Sequence, residues 1–302
     1  ILPLCFEVYK PKERLKAADE YRTKPQIAAA MIRELIAMGF RFELVLADSL
    51  YGESSSNFIS VLESLKLPYI VAIRSNHGVW MPQEQEVTCQ PWQTFTRTFS
   101  NGETEVRYRS EVIYGVRRTT RYWLLTTDPQ TLPDNSTVYV RSNAPQVKLD
   151  EIGDAYGYRT WIEYGLKQSK DALGWADFRV TDYKQIERWW EIVSSVYLMV
   201  SLQFEGLNSG NATTQEPLVE KFRAHACWQS SSSWTSRLHN LQLMIQPYVY
   251  FCLLKPWLSV FAVPSLERGF ADLIRLLNQF SGWQHRSQHR SSLGENSIFS
   301  SA

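Results

Sequence analysis

Several things are scarce in this sequence. Its 302 residues include four cysteines, Cys5, Cys89, Cys227 and Cys252, with no CxxC pair and no histidine at ligand spacing. That argues against a zinc module and a disulfide framework, and it fits a reducing compartment. Charge of one sign is missing too: 32 Lys and Arg against 31 Asp and Glu leave a formal net charge of +1. The overall balance therefore selects no acidic partner, and a nucleic-acid surface has to be a local patch. No stretch reads cleanly as a membrane span. Ile192 to Phe204 is too short, and Leu241 to Val263 contains Gln246, Pro247, Lys255 and Pro256. Ile1 to Tyr9 is apolar but has neither the basic start nor the small-residue cleavage site of a signal peptide. No internal repeat is visible.

The composition that remains is that of a globular chain long enough to bury a full core, with 44% hydrophobic and 21% charged residues. Leu2–Tyr9 alternates loosely and predicts a strand. Pro25 opens a helix with Ile27, Met31, Ile32 and Leu35 at helical spacing and Gly39 at its end. Phe42–Ala47 predicts a short strand that stops at Asp48. Ser54–Ser56 supply a cap for a helix carrying Phe58, Val61, Leu62 and Leu65. Pro68 breaks it, and Tyr69–Ile73 is a continuous apolar run of the kind a strand buried on both faces shows. The order β-α-β-α-β is an α/β unit.

From Trp80 to about Val140 the texture changes. Thr94–Phe99, Glu105–Ser110 and Tyr122–Thr126 are rich in Thr, Tyr, Trp and Arg, and Asn101-Gly102 reads as a hairpin turn. These predict a mostly antiparallel insertion. Arg97, Arg107, Arg109, Arg117, Arg118 and Arg121 stand against three glutamates there. Arginines among aromatics suit a DNA backbone, and a strand with one solvated face carries them equally well. Helices follow over Asp182–Phe204, Leu238–Leu254 and Leu266–Phe280. Asn208–Gln215 reads as a polar loop, and the tail from Ser281 reads as disordered. The boundaries are thus an α/β part at 1–78, a β-rich insertion at 79–145, catalytic-domain helices at 146–204, a helical region at 205–280 and a tail at 281–302.

Two places carry candidate chemistry. Tyr156, Arg159, Glu163 and Lys170 are spaced by three, four and seven residues. At about 100° per residue a helix brings all four onto one stripe. A phenol, two cations and a carboxylate on one stripe can hold a phosphate beside a metal. The same residues also read as a solvated face with Arg159–Glu163 and Glu163–Lys167 ion pairs. Asp48 closes an apolar strand and is followed by Ser49-Leu50-Tyr51-Gly52. Carboxy-terminal strand ends are where open α/β sheets bind ligands, and an aspartate there also serves as an ordinary helix cap.

The Tyr-(2)-Arg-(3)-Glu-(6)-Lys spacing, preceded by a strand ending Leu-Ala-Asp-Ser-Leu-Tyr-Gly, resembles the DDE transposases of bacterial insertion sequences, in the ribonuclease-H-like superfamily. The resemblance implies a ribonuclease-H-like α/β sheet with a β-rich insertion and a helical carboxy-terminal region. It makes Asp48 and Glu163 the second and third catalytic carboxylates, holding two divalent ions, Mg²⁺ or Mn²⁺, for in-line attack on a DNA phosphodiester. Tyr156, Arg159 and Lys170 match positions that grip transposon-end phosphates. Trp80, Trp92 and Trp123 are candidates to stack a flipped base, but each reads first as a packing residue. Double-stranded DNA (terminal repeats and target) is the implied partner, with a homodimer on paired ends, no membrane, and a bacterial cytoplasmic location beside the nucleoid.

One expectation runs against activity. In the family the first catalytic aspartate lies on the opening strand. Leu2–Tyr9 matches the third strand, so the sheet is expected to be incomplete and that aspartate absent; Asp19 and Glu20 sit in a loop and do not replace it. The alternative is therefore an inert remnant that binds DNA without cutting it, and a third is a structural or membrane-associated protein built on the apolar helices.

Overall fold

The computed structural model describes residues 3–99, 102–145, 151–203, 221–231 and 233–278. The polar loop expected at Asn208–Gln215 and the tail from Ser281 lie outside the described residues. The chain forms two compact units, Pro3–Ile192 and Val193–Ala302.

In the first unit, Thr23 opens helix α1 (Lys24–Ala37) with a reciprocal cap. The Thr23 N–H donates to Gln26 Oε1 at 2.8 Å and the Gln26 N–H donates to Thr23 Oγ1 at 3.4 Å. Strand β1 (Val45–Ala47) runs parallel to β2 (Tyr69–Ile73), with Ala47 opposite Val71. The connection contains α2 (Ser49–Gly52), one wide π-helical turn (Ser55–Ile59) and α3 (Ser60–Ser64). Ser54 caps nothing with its side chain, yet Phe58, Val61 and Leu62 are buried as their spacing requires. All five residues of β2 are buried, as a continuous apolar run between two covered faces should be.

Five further strands extend this sheet: β3 (Val87–Cys89), β4 (Gln93–Thr98), β5 (Thr104–Tyr114), β6 (Arg121–Thr126) and β7 (Val138–Ser142). The seven strands run in the order β1-β2-β7-β6-β5-β3, with β4 also paired to β5. β7 joins β2 antiparallel, Val140 opposite Ala72, so the arginine-rich strands continue the α/β sheet. The β4–β5 hairpin closes at Thr98 opposite Thr104, with Gly102 at φ +86°.

Alternation divides the sheet into two faces. Tyr69 and Val71 pack with Ala47, Phe58, Ile59, Leu62 and Ala29 under the α1 and α3 side. Ile70, Ala72, Val140, Trp123 and Leu125 pack on the other side against helix α4 (Ile152–Gly157), through Ile152, Ala155 and Tyr156. Each of the larger apolar side chains here, Val, Leu, Ile and Phe, contributes about 2 kcal/mol by leaving water. Helix α5 (Arg159–Leu173) follows α4 after a single turn residue, Tyr158.

The strand expected at Leu2–Tyr9 does not form: residues 3–10 belong to no strand or helix. Their burial has no two-residue period, since Leu4 and Cys5 are both exposed. Side chains anchor the segment instead. Phe6 meets Trp175 and Trp190 edge-on, Glu7 pairs with Arg22, and Val8 is buried.

Helix α6 (Tyr183–Gln203) crosses the division between units. In the second unit Tyr197 stacks on Trp234 at 4.8 Å, opening helix α7 (Trp234–Val260). Phe251 of α7 stacks on Phe270 of α8 (Pro264–Asn278) at 5.7 Å. Among the described residues no helix is long and apolar enough to cross a membrane, and all four cysteines are free and exposed.

Candidate active site

Asp48 follows the last residue of β1 and caps α2, its Oδ1 accepting the Leu50 N–H at 3.0 Å. The Asp-Ser-Leu-Tyr-Gly run is held from behind. A Cβ on Gly52 would lie 1.9 Å from the Ala72 carbonyl oxygen, so only glycine lets α2 close onto β2. Tyr51 packs on Phe58 with ring centroids 5.4 Å apart. Glu53 then takes Arg74, the first residue after β2, by its backbone N–H at 2.8 Å and its guanidinium Nε and Nη2. Those hydrogen bonds hold the Glu53 carboxyl below its ordinary pKa, with His77 adding to the effect. Alternation along β1 carries Asp48 to the face of Leu46, the side that α4 covers.

The four spaced residues fall on two helices, because Tyr158 turns the chain between α4 and α5 with hydrogen bonds three residues apart on either side. Gly153 and Gly157 seat α4 on β4. A Cβ on the first would meet the Phe95 ring at 2.3 Å, and on the second Arg97 Nε at 3.2 Å. Tyr156 is 8% exposed. Arg159 crosses its ring 5.8 Å from the centroid, donates a hydrogen bond to its hydroxyl, and pairs with Glu163 Oε1 at 2.8 Å. Glu163 and Lys170 are exposed. Lys170 lies seven residues beyond Glu163, about 10 Å along the helix. Of the two ion pairs expected for a solvated face, Arg159–Glu163 forms and Glu163–Lys167 does not among the described residues.

Tyr156 connects the two halves. Burial, first, pushes its phenol pKa up, Arg159 opposes, and the negative charges of both Asp48 and Glu163 raise it further. Asp48 and Glu163, 115 positions apart in the sequence, thus act on one buried hydroxyl. Each has an oxygen, Oδ2 and Oε2, outside the contacts described above. Hard carboxylate oxygens are the donors that Mg²⁺ and Mn²⁺ take, so the donor set fits such an ion. Among the described residues no group of three His, Cys, Asp or Glu side chains converges.

The antiparallel strands bring in residues that the spacing pattern does not reveal. Arg97 of β4 donates to Thr160 Oγ1 at 3.2 Å. With Arg107, Arg159, Tyr156 and Thr160 it lines a cavity of about 220 Å³ floored by Phe95, Leu125 and Val138. Burial, and then the charge of Arg107, depress the Arg97 pKa. Phe95, Arg97 and Arg107 share a face by alternation, a signal readable in each strand; their approach to α4 needs the cross-strand register. Trp123 is in the core at 8% exposure, Trp92 is exposed, and Trp80 is 75% exposed with Arg118 over its ring.

Residues 2–97 match a family described as DDE superfamily endonuclease, a stretch that contains Asp48. The chain is also 60% identical over 185 residues to the probable transposase for insertion sequence element IS701 of Microchaete diplosiphon. That match covers 61% of this chain and 49% of the relative, so the chain spans about half the length of the curated relative it matches. On these matches the chain is a relative of the DDE transposases of bacterial insertion sequences.

Proposed function

We propose that this chain forms a ribonuclease-H-like catalytic region of a cut-and-paste transposase, acting on double-stranded DNA at terminal repeats and target. The reading is carried by one observation: Asp48 and Glu163 both act on the Tyr156 hydroxyl. Asp48 and Glu163 would hold divalent ions, Mg²⁺ or Mn²⁺, which supply charge neutralisation and an activated oxygen nucleophile for phosphodiester attack. Tyr156, Arg159 and Lys170 would grip the adjacent phosphate. Arg159 is suited to this because its fork is already oriented by Tyr156 and Glu163, so little rotamer freedom is lost on binding. Lys170 adds a point charge one helix stretch away. Phosphate contacts of this kind fix position and carry no base sequence. The β-rich strands at 87–142 would be the insertion of this branch, and the active species a homodimer on paired ends in the bacterial cytoplasm.

A second reading, DNA binding without cleavage, is favoured by the count of acids: among the described residues no third carboxylate joins Asp48 and Glu163 in a metal-holding group. One experiment separates them. The full chain is incubated with duplex DNA and Mg²⁺ or Mn²⁺, and nicking and binding are measured together. Divalent-dependent nicking that Glu163→Gln abolishes, with binding retained, supports the transposase. Salt-sensitive binding without nicking supports the second reading. Binding and cutting at the parental rate by Glu163→Gln removes Glu163 from the metal site.

A further inference from the structure

Strand β5 presents Glu105, Arg107, Arg109 and Glu111 on the face that α4 covers, since Arg107 pairs with Phe95 and Glu111 with Trp123. At one end Arg107 joins the cavity beside Tyr156. Four residues along, about 13 Å, a second cavity of about 260 Å³ opens on the same face. It is lined by Arg109, Arg117, Arg121, Gln90, Gln93 and Trp123 around Glu111. Glu111 is 5% exposed, held by Arg117 Nη2 at 2.9 Å and Arg121 Nε at 3.6 Å. Arg109 lies over the Trp123 ring, 5.8 Å from its centroid.

A buried carboxylate contributes little net stability even when paired. What Glu111 does is position: it fixes Arg117 and Arg121 by their guanidiniums. The wall of this cavity carries three arginines and one glutamate, and the Arg117 side chain is still 53% exposed. Steps of two residues along β5 are about 6.8 Å, the axial rise of two phosphates on one DNA strand.

The geometry points to a second phosphate-contact site in this cavity, for the backbone of duplex DNA running along β5 away from Tyr156. It rests on the transposase reading but uses none of Tyr156, Arg159 or Lys170. Arg109, Arg117 and Arg121 fork onto phosphate oxygens, and Gln90 and Gln93 hydrogen-bond phosphate or sugar. Contacts of this kind carry no sequence, so the site takes any duplex.

The test is the salt dependence of binding, measured by fluorescence anisotropy on the full chain with a duplex of arbitrary sequence. Arg117→Gln and Arg109→Gln should each lower the slope of log K against log salt by about 0.9, one phosphate contact. Arg117→Gln removes the nearer of the two cations that hold buried Glu111 and should melt below the parent, so binding is read well below its melting temperature. Arg117→Lys keeps the charge and should keep the slope, which also serves if the glutamine variant fails to fold. Unchanged slopes in both glutamine variants, where Arg159→Ala lowers it, overturn this site and leave the transposase reading standing. A parental chain that binds no duplex at any salt overturns both. Competition by poly-glutamate equal to that by duplex assigns the cavity to acidic peptides and overturns the DNA assignment.

Discussion

Asp48 and Glu163 are supported in opposite ways. The Asp48 loop is locked from behind: Gly52 lies against the β2 backbone, Tyr51 on Phe58, and Glu53 on Arg74. Glu163 stands on α5, where only Gly165 and Ser169 are buried and Ile162, Tyr164 and Leu166 are exposed. Among the described residues its one ion pair is with Arg159. Half of the candidate site is therefore set by packing and forms with the fold. The other half rides on a more exposed helix, held at its start by Arg97 on Thr160 and by Arg159 over Tyr156.

The largest expected effect breaks the rigid half. Gly52→Val places methyl groups where the Ala72 carbonyl already sits, and overpacking against backbone should cost about 3 kcal/mol. A denaturant midpoint equal to the parent's would show that α2 is free to move off β2. Next comes the bridge between halves. Saturating Mn²⁺ should raise the thermal midpoint of the parent, by an amount equivalent to about 2.7 kcal/mol at a hundred times Kd. Asp48→Asn and Glu163→Gln should each remove that rise. A rise that survives in either variant places the ion elsewhere.

Smaller effects sharpen the comparison. Arg159→Ala removes the ion pair with Glu163 and a cation, so the salt slope of DNA binding should flatten by about 0.9; an unchanged slope takes Arg159 off the phosphate. The smallest is the pH dependence of the rigid half. The folded Glu53 carboxyl lies below its ordinary value of 4.5. Its pairing with Arg74 therefore stabilises above that pH and is lost as pH falls through the lower folded value. Arg74 is mostly exposed, so the contribution is no more than about 1 kcal/mol. Arg74→Ala should shrink the difference in melting between neutral and acid pH, and an unchanged difference would assign it to other carboxylates.

The legible parts of the fold were those with a strong local period. α1, the buried run Tyr69–Ile73 and the hairpin at Gly102 form where pattern and turn chemistry place them. Leu2–Tyr9 failed for the corresponding reason, a weak alternation and no ladder partner. At the site, the spacing of Tyr156, Arg159 and Glu163 brought those residues together, although Tyr158 splits their helix. Arg97, Arg107 and the ring of arginines about Glu111 were visible only as composition, because their meeting depends on pairing between strands.

By itself the sequence marked the strongly periodic segments that become helix and strand, and it drew out the acids and cations suited to phosphate chemistry, because period and residue type act over a few neighbours. Tertiary structure decided that the charges of Asp48 and Glu163 both reach the buried phenol of Tyr156, that glycines wedge α2 and α4 onto the sheet, and that arginines of separate strands line common cavities. Those outcomes turn on register and close approach between segments far apart in the chain, which no local pattern encodes.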